Sequence, residues 1–228
     1  MILPELPDVA ITLRRSPRAR RISLRISGLD GKVTLTLPRR AREADALAFA
    51  RARSDWIRDA LGRIPAQVRV EHGVVLPVEG RLLRIEPAAG LRTPRIGETA
   101  LLIPGPADTA GRRAAIFLRH LARERLVSAC DRHAARLGRI PGPIRLRDTR
   151  SRWGSCSADG ALMFSWRLAM APPEVLDYVA AHEVAHLEQM NHSPAFWAVV
   201  ARLVPGYAGP RQWLRRHGAG LHGFRFGD

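Results

Sequence analysis

The segment His182-Glu183-Val184-Ala185-His186 constrains this chain more than any other. Two histidines four apart on a helix sit about 40° apart around the axis and one turn apart along it, so both imidazoles reach one point in space. The neighbours Val179, Ala180, Val184 and Leu187 are apolar, which predicts a largely buried helix. Buried histidine and glutamate side chains need partners. Pro172-Pro173 opens this helix, and the pattern carries it to about Met190.

Neutral imidazole nitrogen suits zinc. Glu183 lies between the two histidines, where its carboxylate reaches a water in the open coordination position, the arrangement of zincins. On a continuous helix His192 would point about 120° away from that face, so the helix must break first. The residues for a break are present: Asn191 tolerates the left-handed conformation, Ser193 is a good N-cap and Pro194 a good first helical residue. The expected site is therefore zinc on His182, His186 and His192, with Glu183 as general base for metal-assisted hydrolysis. Arg152, Arg167 and Tyr207 are the candidates for stabilising an oxyanion.

The rest of the chain reads as α+β. Period-two alternation predicts strands at 11–14, 22–26 and 33–37, with the turn Gly28-Leu29-Asp30-Gly31 joining the last two as a hairpin. Residues 41–61 take helical spacing, ended by Gly62 and Pro65. Strand signals return at 68–70, 74–78, 82–85 and 101–103, a long helix follows at 110–138, and strands are expected at 144–147 and 161–168. The Pro104-Gly105-Pro106 stretch marks the expected boundary between a strand-rich region, 1–106, and a zincin-like helical unit, 107–228, that carries the HExxH helix.

Charge is the other unusual property. The chain has 37 basic and 21 acidic residues, net +16, and Lys32 is its sole lysine. The excess is shared by both halves, and no basic tail stands out, so the charge alone does not define a nucleic-acid binder. Two cysteines make no disulfide framework. No apolar run approaches the roughly 18 residues of a membrane helix, and the N-terminus lacks the pattern of a signal peptide, so no membrane partner and a cytoplasmic location are expected.

The runs Arg152-Trp153-Gly154-Ser155-Cys156-Ser157, Trp166-Arg167-Leu168, Asp177-Tyr178-Val179 and Asn191-His192-Ser193-Pro194-Ala195-Phe196-Trp197, around the HExxH segment, resemble the YgjP-like family of metal-dependent hydrolases, related to the SprT-like metallopeptidases. The resemblance implies a zincin-like C-terminal unit, zinc on the three histidines and Glu183 as the catalytic carboxylate. Ser165 departs from the asparagine common at that position in the family. The expected function is a zinc-dependent peptidase acting on a peptide or protein. Two alternatives stand beside it: hydrolysis of a nucleotide phosphoanhydride, and a nucleic-acid-associated SprT-like protease whose basic surface holds an anionic partner.

Other polar residues take plainer readings. Cys156 is expected as a small buried thiol, and Trp153, Trp166 and Trp197 as core packing. His120 and His133 are expected to be solvated on the long helix, and His217 and His222 to lie in a glycine-rich tail. Glu188 reads equally as a partner of a ligand histidine or as surface.

Overall fold

In the computed structural model, residues 2–28, 31–62 and 67–227 are described. The expected hairpin residues Leu29 and Asp30, and the helix-ending Pro65, lie outside them. The chain divides into two compact units, Met1–Ala66 and Gln67–Asp228.

The first unit is a four-stranded sheet with two helices. Its strands β1 (Ile2–Leu3), β2 (Leu6–Ser16), β3 (Ser23–Ile26) and β4 (Val33–Pro38) are ordered β1-β2-β4-β3. The β2–β4 pair is parallel and the β3–β4 pair antiparallel. In β4, Val33, Leu35 and Leu37 alternate into a core with Ile11, Ala46, Ala50 and Ile57. The helix expected over 41–61 is two helices, α1 (Glu43–Arg51) and α2 (Ser54–Gly62). The Arg53 N–H closes a tighter bond to the Ala50 carbonyl, and Ser54-Asp55 restart the helix with residues that favour its first turn.

The second unit carries the HExxH segment. It begins with β5 (Val68–Arg69), then β6 (Val75–Val78), β7 (Arg81–Pro87), β8 (Arg95–Ile96) and β9 (Ala100–Ile103) in a sheet ordered β6-β7-β9-β8. After a 3-10 turn at Ala107–Thr109 comes the long helix α3 (Ala110–Leu137). Gly138 ends it at φ +61, a left-handed conformation that glycine adopts without strain. Next come β10 (Ile144–Arg147), β11 (Gly154–Cys156) and β12 (Leu162–Ser165), ordered β10-β12-β11. The expected strand at 161–168 therefore stops at Ser165 and turns into a 3-10 segment, Trp166–Met170. Helices α4 (Pro173–Ala185), α5 (Pro194–Leu203) and α6 (Ala208–Leu221) and strand β13 (Phe224–Arg225) complete the unit, and β13 pairs in parallel with β5.

The division at 66/67 differs from the expected 106/107 boundary for a packing reason. Leu76, Val78, Leu83, Ile85, Leu101 and Ile103 of the β6–β9 sheet share one apolar core with α3 and α4. The 104–106 stretch is a bend within that unit, not a linker. Among the described residues, no helix is long and apolar enough to cross a membrane.

Candidate metal centre

Helix α4 is buried on nearly every side, with Val175, Val179, Ala180, Ala181, Val184 and Ala185 in the core. Pro173 occupies its first turn. The helix is shorter than its sequence pattern: it ends at Ala185, with His186 as C-cap and turns through the residues that follow. His182 and Glu183 thus sit in its last turn. The break before α5 follows the expected chemistry, since the Ser193 side chain accepts from the Phe196 N–H at 3.4 Å and Pro194 is the first helical residue.

This corner brings His192 back to the helix end. Its Nε2 lies 3.0 Å from the Nε2 of His182. One ligand atom from each of His182, His186 and His192 lies within 4.8 Å of the other two, and among the described residues this is the one such group. The His186 Nδ1 is 3.0 Å from the Gln189 carbonyl oxygen. A carbonyl only accepts, so Nδ1 carries the proton and Nε2 is left with a bare lone pair. Burial holds the His182 imidazole down to about 4, helped by the neighbouring His186, His192 and Arg211. Burial likewise lowers His186, against the Gln189 carbonyl, which raises it. Two neutral imidazoles and a third facing them fit a divalent metal ion, whose charge would relieve the Nε2–Nε2 contact.

The floor of the site is Phe196, which is fully buried on α5. Its ring stacks on His186 at 4.5 Å and meets His182 edge-on at 4.9 Å and His192 edge-on at 4.8 Å. One aromatic ring therefore sets the orientation of all three histidines. The sequence signal for it was the spacing from the Ser-Pro cap, which places residue 196 one turn inside α5.

Glu183 is 5% exposed and faces the same cleft, an opening of about 460 Å³ lined also by Arg152, Gly154, Cys156 and the three histidines. Burial pushes its carboxyl up to about 7, while the charge of Arg152 and a hydrogen bond from the Cys156 N–H pull the other way. Strand β11 passes so close that a Cβ built on Gly154 would lie 2.5 Å from Glu183 Oε1. Glycine at this strand position gives the carboxylate its room.

Of the oxyanion candidates, Arg152 lines the cleft and the other two do not. Arg167 is buried and grips both oxygens of Asp148, at 2.7 and 3.1 Å, and the carbonyls of Leu221 and Phe224. Tyr207 stacks on Tyr178 and Trp197. Cys156 lines the cleft outside the histidine group, and burial raises its thiol to about 11, with Glu183 and Asp159 adding to the rise. Trp166 is core, packed edge-on against Phe226, and Trp153 stands against His222, while Trp197 flanks His182 and His192. His133 is 3% exposed, not solvated, with Nε2 3.0 Å from Asp177 Oδ1. Glu188 pairs with Arg202 at 3.1 Å. His217 and His222 belong to α6 and its C-cap, where a glycine-rich tail was expected.

The YgjP-like metallopeptidase domain matches residues 20–217 of this sequence. The chain belongs to the YgjP-like family. Membership supports a metal-dependent peptidase, a hydrolase in general class, and the three histidines are the residues that can hold its metal ion. No curated protein matches the chain. Among solved structures, the metallopeptidase zymogen of Pyrococcus abyssi abylysin is similar at 22% identity, covering 40% of this chain and 93% of that chain with a TM-score of 0.36.

Proposed function

We propose that this YgjP-like chain is a zinc-dependent peptidase of the HExxH zincin type, with the ion on His182, His186 and His192 and Glu183 as general base. The observation that carries the reading is the convergence of the three imidazoles within 4.8 Å in the cleft that Glu183 faces. Three imidazoles with one side open to a cleft match catalytic rather than structural zinc, whose sites are closed by four protein ligands. Zinc bound there supplies Lewis acidity, which polarises a carbonyl and acidifies a water. Glu183 then takes the proton of the attacking water on a carboxylate oxygen and hands it to the leaving amine. Its raised proton affinity suits that exchange near neutral pH. Arg152 is the cation in the cleft available to a developing oxyanion.

The edge strand beside the cleft is β11, since β12 is paired on both sides. A peptide laid along β11 runs across the histidine cluster.

The test is metal content and proteolysis together. The purified protein is expected to hold one zinc per chain, to cleave an unstructured protein and to lose that cleavage with a chelator. Glu183→Gln is expected to keep the zinc and lose about 10²–10⁴-fold in rate. Undiminished cleavage by Glu183→Gln, or zinc retained in full by His192→Ala, refutes the reading.

A further inference from the structure

His192 is placed differently from the other two imidazoles. His182 and His186 belong to helix α4 and its C-cap, and His186 is fixed further by the Gln189 carbonyl at 3.0 Å. His192 is exposed and lies in the corner between α4 and α5, outside both helices. A side chain in such a corner has no helical backbone to aim it.

Aromatic rings supply what the backbone does not. Trp197 stacks on His192, with centroids 6.0 Å and planes 29° apart. Tyr207 stacks on Trp197 at 5.4 Å and 18°, and Tyr178 stacks on Tyr207 at 6.3 Å and 13°. Tyr178 in turn meets His182 edge-on at 6.0 Å, and the Nε2 of His182 returns to the Nε2 of His192 at 3.0 Å. The rings of His192, Trp197, Tyr207, Tyr178 and His182 thus close a circuit through α4, the corner, α5 and the start of α6. Stacked and edge-on ring pairs at these separations attract one another. The circuit is anchored at Tyr178, which is buried in α4. It is clamped at Trp197, where the Arg211 guanidinium lies 4.4 Å from the ring centre, while the Arg211 N–H donates to the Tyr207 carbonyl at 3.0 Å. Neither Trp197 nor Tyr207 lines the metal cleft.

We propose that Trp197 and Tyr207 are positioning residues for the third metal ligand: the stack from Tyr178 through Tyr207 and Trp197 holds the His192 imidazole at the cluster. The proposal rests on the peptidase reading, which takes His192 as a ligand, and it assigns Tyr207 a role through its ring, not its hydroxyl. Imidazoles held in place before an ion arrives lose less freedom when it binds, which favours binding.

The test is zinc affinity, read by competition with a chromophoric chelator, beside the unfolding midpoint of the metal-free protein. Trp197→Leu is expected to weaken zinc binding about 10- to 100-fold, the range for groups that orient metal ligands without touching the ion. Tyr207→Leu is expected to weaken it roughly 2- to 10-fold, the worth of one ring pair. Tyr207→Phe keeps the ring and should bind zinc as the parent does. In the His192→Ala protein, Trp197→Leu should cost much less than in the parent, because residues that act through one another are not additive. A lowered unfolding midpoint with zinc affinity unchanged in both leucine variants makes the stack structural only and overturns the proposal. A cost of Trp197→Leu that is undiminished in His192→Ala overturns the route through His192. Loss of cleavage in Tyr207→Phe with zinc affinity unaltered gives the role to the hydroxyl and overturns the part assigned to the Tyr207 ring. A parent protein without stoichiometric zinc, or zinc retained in full by His192→Ala, overturns the peptidase reading and the positioning role with it.

Discussion

Gly154→Ala should silence the enzyme without touching its metal. The added Cβ would stand 2.5 Å from Oε1, 2.6 Å from Cγ and 2.8 Å from Cδ of Glu183, where ordinary contact begins at 3.4 Å. The carboxylate or the strand must therefore give by about 0.9 Å, the difference between 3.4 and 2.5 Å. Glu183 has little room to do so, being 5% exposed and held by the Cys156 N–H. The strand is held too, paired to β12 at Gly154, Ser155 and Cys156. Misplacing a catalytic group by about 1 Å costs roughly 10²-fold, or about 2.7 kcal/mol of transition-state stabilisation. The three atoms nearest the added Cβ all belong to Glu183, so zinc stoichiometry and affinity should be unchanged. The assay is kcat/KM on an unstructured protein, beside zinc content and the pH-rate profile, whose limb governed by Glu183 should shift as its surroundings change. Activity within about 3-fold of the parent refutes the reasoning, since a misplacement near 1 Å is set to cost roughly 10²-fold. Loss of zinc along with activity refutes it equally.

Three further outcomes are expected. Phe196→Ala should destabilise the protein by about 3–5 kcal/mol in denaturant unfolding, as for other buried aromatic truncations, and should also weaken zinc binding, because the ring orients all three histidines. Arg167→Lys keeps the charge but loses the two-pronged grip on Asp148 and the reach to two carbonyls, and should lower stability by about 3 kcal/mol without changing the pH-rate profile. Burial alone would raise the Asp177 carboxyl, yet the hydrogen bond and charge of His133 and the nearby Arg132 outweigh it and hold it below the usual carboxylate range. Its folded value is depressed, so its contribution is present above about pH 3.9 and is lost as pH falls through the folded value. Acid unfolding of Asp177→Asn should lack that part of the slope.

The site was more legible in the sequence than the fold around it. The clustering of the three histidines is encoded by short-range rules: helical spacing for His182 and His186, and a break, cap and proline for His192. The sequence does not choose among Arg152, Arg167 and Tyr207, because the partners that make Arg167 structural lie 19, 54 and 57 residues away, beyond the reach of any local pattern. Helix α6 was hidden by its glycines. Gly218 suits tertiary packing rather than flexibility, since a Cβ there would meet Trp153 at 2.9 Å. The boundary at 104–106 looked like punctuation, and only the shared core of the β6–β9 sheet with α3 and α4 shows that the chain continues through it.

The pairing of β13 with β5 has a consequence for synthesis. Residues 224–225 lie beside 68–69, and the Arg167 guanidinium holds the carbonyls of 221 and 224. The first strand of the metal-bearing unit finds its partner only when nearly the last residues of that unit have left the ribosome. Loop closure over so long a stretch is slow and comes late. Until then Arg167 and β5 lack their partners, although all three histidines and Glu183 are already outside the tunnel. Translation order thus delays the finished unit until β13 has emerged, which limits the time a nascent enzyme spends beside its own unfolded segments.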